Sequence, residues 1–525
     1  MDKLEQGMER HKQVIRCGVV VFLAVIFYLG GMMKISHVGN TTFLGPWLLR
    51  LFVGCGVLGI AFIVVLHWLS LGKEIRIERL FLFSMIVLSL AYMLFFAPVS
   101  VPDEQAHYIS AYRLSNYFLF HWGQFSQNDI LMRQADAEFF GQFAVSGNLD
   151  AQSYQRVIEN FTWFTGKTQL VTYSANTATN VPLGYVASAL GIAVGRLFHL
   201  GSLPVFYLGR MFNMAQYIAL ASVAMRRIPF GKSVIYAISM FPMVLHLCAS
   251  FSYDCMIIGV SMLFVAEVVR MIYGETISRG QVILCAVLCF VLAPSKLVYT
   301  PLLFLVLLIP GEKLKGVFRY PTLLKVIFIT AGIVGLLVGQ IHSLASYVGE
   351  AGGSYVAWAE EEGYSISWVL QNPLGTLSIF GATFLTSADY FFHTMLGGSL
   401  GWLQIAVPDF LCLPFAGLFF LACMKKREEV APVSFLSKCW ITILVLGSCG
   451  LVFASMFLSW TPISYNVILG IQGRYFLPLL PAVFLIMRNN TVEVGGRMDH
   501  HIVFMTGALN VFVLSFCFLR VFGLI

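Results

Sequence analysis

Apolar residues run along this chain in blocks of about 17–25, the length that crosses a bilayer core roughly 30 Å thick. Short polar breaks and two long polar stretches separate them. The blocks predict spanning helices near 16–36, 45–68, 79–98, 205–225, 233–251, 254–272, 280–294, 297–310, 322–342, 408–424, 436–459, 475–488 and 502–522. The expected fold is an all-α, polytopic transmembrane helix bundle of about 13 spanning helices plus interfacial helices. Three parts follow from the block order: a two-helix membrane extension at 1–75, a membrane core at 76–490 with long outer segments 99–203 and 343–407, and a C-terminal transmembrane helix within 491–525. The first block, Cys17–Met33, is longer than a signal-peptide core and has no small-residue cleavage site after it, so it is expected to be retained.

Composition agrees. The chain is 58% hydrophobic and 11% charged, against about 25% charged in soluble domains, so it could not cover a soluble surface. Its 11 cysteines all lie in or beside apolar blocks, with none in the polar stretch Ser100–Asn180. Their spacing matches neither a zinc site nor a disulfide framework, which leaves them as small buried hydrophobes. The net charge of +7 argues for no nucleic acid, because no basic stripe alternates with exposed aromatics.

The charge reports topology instead, since Lys and Arg collect in cytoplasmic loops. With the N-terminus in the cytoplasm, Arg16, Lys73, Arg76, Arg79, Arg226, Arg227, Lys232, Arg270, Arg279, Lys313, Lys315, Arg319, Lys425, Lys426, Arg427 and Lys438 all fall on that side. Pro182–Leu200 is apolar enough to cross, but a crossing would flip the later clusters outward. The charge rule therefore expects it to be an interfacial or re-entrant helix ending at the Gly201–Pro204 turn. The segments 99–203 and 343–407 then face outward, and loops of that length usually serve function. The second holds Glu350, Glu360, Glu361, Glu362, Trp358, Trp368 and the Gly-rich run 396–402.

Four motifs carry candidate chemistry, all on the outer face. Pro102-Asp103-Glu104-Gln105-Ala106-His107-Tyr108 places two carboxylates where the third helix leaves the membrane, a costly position unless they are hydrated, paired or used. They suit a general base or a ligand for a metal or substrate hydroxyl; the alternative is an acidic cap on a helix starting at Glu104. His107 and Arg113 follow at helical spacing. Ser252-Tyr253-Asp254 puts an acid at the same level. Lys296, in Ser295-Lys296-Leu297-Val298-Tyr299, and Arg210 are cations away from the cytoplasmic clusters. Gln472-Gly473-Arg474-Tyr475 opens the twelfth helix with a guanidinium suited to a phosphate and a glycine that would let backbone approach a ligand. Snorkelling is the alternative for each base.

These elements resemble a group of bacterial polytopic proteins known mainly as a domain of unknown function. The group is similar in plan to the GT-C class of membrane glycosyltransferases. The likeness rests on PDEQAHY at 102–108, SYD at 252–254, SKLVY at 295–299 and GRYFLPLLP at 473–481, and covers roughly residues 85–490. Asn180-Val181-Pro182-Leu183-Gly184-Tyr185 also fits, supporting a non-spanning 182–200. The resemblance implies a catalytic carboxylate at Asp103 or Glu104, a second acid at Asp254, and a donor phosphate held by Arg210, Lys296 and Arg474.

The expected activity is sugar transfer from a polyprenyl-phosphate donor to a cell-envelope glycan at the bacterial plasma membrane. His107, Arg113, Gln472 and Tyr475 are expected to help bind substrate. Partners are then the polyprenyl-phosphate-linked sugar, the glycan acceptor and membrane lipids. No cofactor is required by this reading; a divalent metal on Asp103, Glu104 and Asp254 stays open. The rival readings are a transporter or flippase of lipid-linked glycans, a polysaccharide polymerase or ligase, and a non-catalytic assembly protein of the envelope. Against a transporter, no repeat is visible and the charges gather at one face.

Overall fold

The computed structural model describes residues 2–38, 45–71, 76–122, 129–143, 149–174, 182–349, 355–426, 432–489, 491–495 and 498–523. Lys73, Asn180, Val181, Glu350 and Arg427 fall outside them.

In chain order the helices are α1 (Asp2–Val38), α2 (Gly45–Leu71), α3 (Ile77–Phe95), α4 (Glu104–Phe118), α5 (Gln134–Phe143), α6 (Ala151–Glu159), α7 (Pro182–Leu197), α8 (Ser202–Arg227), α9 (Lys232–Ser239) and α10 (Pro242–Cys248). Then come α11 (Asp254–Tyr273), α12 (Arg279–Ser295), α13 (Gly311–Lys315), α14 (Pro321–Gly349), α15 (Ile366–Gln371), α16 (Pro373–Leu396), α17 (Asp409–Cys423), α18 (Phe435–Trp460), α19 (Leu480–Met487) and α20 (Met498–Val521). Two 3₁₀ helices, Leu297–Leu308 and Gly473–Leu479, lead out of α12 and into α19. The longest strands, β1 (Asp129–Arg133) and β2 (Leu170–Ser174), pair antiparallel.

Among the described residues seven helices are long and apolar enough to cross a membrane: His11–Ile35, Trp47–Ser70, Ile77–Phe95, Asp254–Tyr273, Pro321–Gly339, Phe435–Trp460 and Met498–Val521. This is an all-α membrane fold. The sequence predicts about 13 spans, and for three of the blocks the difference has a physical cause. Block 233–251 is split between α9 and α10 at Pro242, which cannot continue a helical hydrogen-bond ladder. Blocks 297–310 and 475–488 wind partly as 3₁₀ helix, each with an internal proline, Pro301 and Pro478. Inside a bilayer every freed carbonyl needs a partner, and the bundle supplies them. Asn510 of α20 donates to Met240 O at 2.9 Å, where α9 gives way to α10. Ser261 of α11 donates to Pro478 O at 2.5 Å, and Trp440 of α18 to Phe304 O at 3.2 Å.

α11 is the central column: its residues from Asp254 to Val269 are all buried. Its single internal acid, Glu267, pairs with Arg227 at the far end of α8, at 3.0 Å. Apolar side chains point outward from the rim helices instead, as at Leu58, Leu94, Val338 and Leu385. That inversion of the soluble pattern suits lipid contact.

Block 182–200 forms α7, which turns back through Gly201 and lies antiparallel on the first half of α8. Gly191 and Gly195 allow it: a methyl at Gly191 would lie 2.6 Å from Leu208 O, and one at Gly195 would lie 2.9 Å from Val205 Cγ2. This small-xxx-small spacing brings two helix backbones together. At its other end, α7 places Gly184 against Tyr253, the residue before α11. α4, α5, α6 and the β1–β2 pair complete this unit. A buried Arg133–Asp136 fork at 2.7 and 2.9 Å holds it, with Tyr112 donating to Asp136 at 2.6 Å. Within the second long segment, α16 crosses α18: Phe380 and Phe391, three turns apart, both pack on Phe453.

Candidate functional site

At the end of the bundle where α3 stops and α11 starts, the chain turns tightly from Phe96 to Asp103. Two residues of the turn, Val99 (φ 64°) and Asp103 (φ 59°), take the left-handed conformation. For a β-branched valine this is a true outlier. Two contacts hold it. Val99 N donates to Glu104 at 2.9 Å, and Val99 O accepts from the Trp402 indole at 2.9 Å. Trp402 sits on the tight hairpin that pairs Ser399–Leu400 with Ile405–Ala406, so the Gly-rich run of the second long segment fastens the first one's entry turn.

Glu104 and Arg210 sit beneath this turn, both fully buried. Arg210 Nε and Nη2 donate to the two carboxylate oxygens at 2.8 and 2.6 Å. The rest of the guanidinium donates to Phe96 O at 2.6 Å and Ala97 O at 3.0 Å. Glu104 also accepts from Phe251 N at 3.1 Å. Both groups are spent on each other and on two loops. The sequence reading gives Glu104 a catalytic role and Arg210 a phosphate; the geometry makes them the joint that fixes the turn carrying Asp103 to the loop carrying Asp254. Three residues on from Arg210, Asn213 strengthens that joint by donating to Ser250 O and Ser252 O at 2.8 and 3.0 Å.

Above the joint, α4 begins at Glu104 as the capping alternative predicts, but the Asp103 side chain caps nothing. It accepts from Arg474 Nη2 at 2.7 Å. Arg474 Nε lies 3.4 Å from Asp254, an ion-pair contact without hydrogen-bond geometry, and Lys296 Nζ approaches the other Asp254 oxygen at 3.8 Å. Lys296 also stands over the Tyr475 ring at 3.8 Å. Asp103, Asp254, Lys296, Arg474 and Tyr475, spread over some 370 residues of chain, thus meet in one cluster. Two asymmetries matter. The Asp103 side chain is 51% exposed and Arg474 only 4%. Arg474 Nε and Nη1 are buried with no hydrogen-bond partner among the described residues, and so is Gln472 Oε1. An unpaired buried guanidinium nitrogen is costly and strongly prefers an anionic oxygen. The N-termini of α4, α11 and both 3₁₀ helices meet here, adding positive potential.

His107 is buried one turn along α4. Its Nδ1 shares a hydrogen with Tyr185 Oη at 2.7 Å, and Tyr253 meets its ring edge-on at 5.2 Å. Burial pushes the imidazole down to about 4, while Asp103 and Asp254 pull it back up. Its contacts make it part of an aromatic wall with Tyr185 and Tyr253. Partial burial pushes the Asp103 carboxyl up, but Arg474 outweighs it, helped by His107 and Lys296, and holds it below its ordinary value.

A stability prediction follows from His107. An unfolded chain protonates this histidine near pH 6.5, the folded one only near 4. Between those values the unfolded state binds more protons, so stability falls as pH falls, by on the order of 3 kcal/mol across the window. Melting temperatures in detergent from pH 7.5 to 4.5 should show the decline, and His107→Gln should flatten it. Equal slopes for the two proteins would reject it.

Two expectations are corrected. Arg113 is nine residues beyond Glu104, which puts it on the opposite face of α4 and about two and a half turns along from it; it is half-buried. Gly473 makes room for protein and not for a ligand: a methyl there would lie 2.1 Å from Phe391 O and 2.3 Å from Met395 N. Its N–H donates to Thr394 Oγ1 at 3.1 Å, docking the Arg474 turn onto the end of α16. Sequence reasoning missed Val99, Trp402 and Thr394. Only the isolated glycines of 396–402 hinted at their tight turn. Among the described residues no three His, Cys, Asp or Glu side chains group as a metal site; Glu104 is committed to Arg210, and Asp103 and Asp254 both face Arg474.

The family model described as "Predicted membrane protein (DUF2142)" matches residues 83–483. The match spans all four motifs and leaves α1, α2 and α20 outside. No curated protein and no solved structure matches the chain.

Proposed function

Because the chain belongs to the DUF2142 family of predicted membrane proteins, its polar cluster has to work within or beside a bilayer, and we propose that it is a membrane glycosyltransferase of GT-C-like plan. In this reading the bundle has about 13 membrane segments, the broken helices included. The site faces the extracytoplasmic side, with 182–200 not crossing; the seating of α7 on the first half of α8 supports that.

The observation that carries the proposal is the buried, partly unpaired Arg474 beside the half-exposed Asp103. A polyprenyl-phosphate sugar supplies the missing anion, with Arg474 and Lys296 on its phosphate. The acceptor hydroxyl oxygen of an envelope glycan attacks the anomeric carbon. The bond from that carbon to the phosphate oxygen breaks, polyprenyl phosphate leaves with the electron pair, and Asp103 takes the hydroxyl proton. Donor binding prepares the base: once the phosphate engages Arg474, the charge that holds Asp103 low is shared and its carboxylate becomes more basic. Broken helices ending at charged groups also occur in transporters. An acid and a base against one half-open position favours transfer chemistry.

The test uses purified protein in vesicles with a panel of polyprenyl-phosphate sugars, reading polyprenyl phosphate release and sugar incorporation. Asp103→Asn should lower transfer at least about 10²-fold while the melting temperature and donor binding persist. Transfer at the wild-type rate in Asp103→Asn, or no release from any donor, would refute the reading.

A further inference from the structure

The chain from Ala97 to Glu104 repeats one pattern twice. Ala97-Pro98-Val99-Ser100 and Val101-Pro102-Asp103-Glu104 each close with a hydrogen bond from the fourth residue to the first, Ser100 N to Ala97 O at 3.3 Å and Glu104 N to Val101 O at 3.1 Å. Each has proline second and a left-handed residue third, Val99 at φ 64° and Asp103 at φ 59°. That is the pattern of a type II turn, whose third position suits glycine or asparagine. Aspartate tolerates it, whereas a β-branched valine is strained there. Val99 is nevertheless buried, in the same apolar cluster as Tyr108, Phe206 and Phe251.

A strained residue persists when its surroundings over-determine it. Glu104 holds the N–H side of Val99, and the Trp402 indole donates to its carbonyl oxygen at 2.9 Å. The indole stands on a firm support. Leu400 and Ile405 of its hairpin are buried, and Val407 N closes the hairpin base on Gly398 O at 2.9 Å. Gly397 lies so close to α10 that a methyl there would be 2.6 Å from Pro242 Cβ. Loss of the indole would release the Val99–Ser100 peptide plane, and Val99 would gain by leaving the left-handed region. The second turn follows directly in the chain, and Asp103 moves with it.

We propose that Trp402 is a positioning residue of the site: by holding Val99 it keeps the two turns in register and sets Asp103 against Arg474. It acts through Val99 and takes no part in the proton transfer itself. The inference rests on the glycosyltransferase reading, which makes Asp103 the base. Placement matters there, since an error of about 1 Å can cost about 10²-fold in rate.

The experiment uses the full chain in vesicles with a polyprenyl-phosphate sugar that the wild type turns over, and compares Trp402→Phe, Val99→Gly and the double variant. Trp402→Phe removes the N–H and keeps an aromatic ring. It should lower kcat about tenfold, the scale of one hydrogen bond, with donor KM within about twofold of the wild type. Asp103 is then held less firmly by Arg474, so the acid limb of the pH–rate profile should move to higher pH. Glycine accepts φ 64° without strain. In the double variant most of the lost kcat should therefore return, although the melting temperature falls with the loss of a buried apolar side chain. Activity rising while stability falls is not what a merely structural role for Trp402 gives. Should Trp402→Phe misfold by itself, Val99→Gly must restore folding. Unchanged kcat in folded Trp402→Phe, or no recovery in the double variant, overturns the proposal. If the wild type releases polyprenyl phosphate from no donor, the glycosyltransferase reading has failed, and melting temperatures still decide about the latch. The drop caused by Trp402→Phe must be smaller in the Val99→Gly background than in the wild type; an equal drop overturns it.

Discussion

Replacing Arg474 by glutamine is expected to lower sugar transfer by about 10³-fold, near the loss seen when a transition-state charge donor is removed. The reason is electrostatic. Arg474 is 4% exposed, holds Asp103 at 2.7 Å, meets Asp254 at 3.4 Å, and has two nitrogens without a hydrogen-bond partner among the described residues. Charge develops on the leaving phosphate as the glycosidic bond breaks, so the effect belongs mainly in kcat. Glutamine also leaves two carboxylates facing each other with only Lys296 nearby, so Asp103 should become less acidic. Arg474→Lys keeps the charge but not the fork, and should recover part of the loss. Initial rates over a range of donor concentrations, from pH 5 to 8, measure all three effects. Wild-type kcat in Arg474→Gln would remove the basis of the proposed mechanism.

The second large effect concerns stability. Glu104→Gln should cost about 3–5 kcal/mol, because it leaves Arg210 charged and fully buried without its counter-ion. In practice the variant should yield little monodisperse protein and melt well below the wild type. The paired change Glu104→Leu with Arg210→Met should be more stable than either single change, since removing both charges removes the uncompensated one. Transfer should nonetheless stay lost in the pair. Glu104 also accepts from Val99 N and Phe251 N, a tie that helps set the spacing between Asp103 and Asp254 and that leucine cannot make. Recovery of transfer along with stability would show that Glu104 and Arg210 do not position the site.

These predictions separate two acids that stand side by side in the sequence. Asp103 and Glu104 are equivalent as a dipeptide, and either could serve as base. Their fates diverge because Asp103 sits at the left-handed residue before α4 and points outward, while Glu104 is one helical position on and points into the bundle. Arg210 and Arg474 diverge in the same way: the first is saturated by a carboxylate and two backbone carbonyls, the second has donors to spare.

Much of the scaffold was legible beforehand because it follows from transfer free energy, which each residue carries with it. Apolar blocks predicted α2, α3, α11, α18 and α20 nearly to their ends and the apolar stretches of α1 and α14, which run on as helix to Asp2 and Gly349. The charge asymmetry led to 182–200 being expected as an interfacial or re-entrant helix ending at the Gly201–Pro204 turn, and the chain does turn there between α7 and α8. Local turn chemistry flagged PDE, SYD and GRYF. What failed was the continuity of 233–251, 297–310 and 475–488. Hydropathy registers burial but not whether a backbone carbonyl finds Asn510, Ser261 or Trp440 elsewhere in the chain.

By itself, then, the amino-acid order determined a membrane-embedded helical protein with its unexplained acids and bases at one end, because hydrophobicity and charge are properties of single residues. The tertiary structure alone decided that Arg210 neutralises Glu104, that Arg474 reaches Asp103, and that Trp402 locks Val99. Each is a contact between residues more than 100 positions apart, and its energy exists only once burial has stripped the water from both partners.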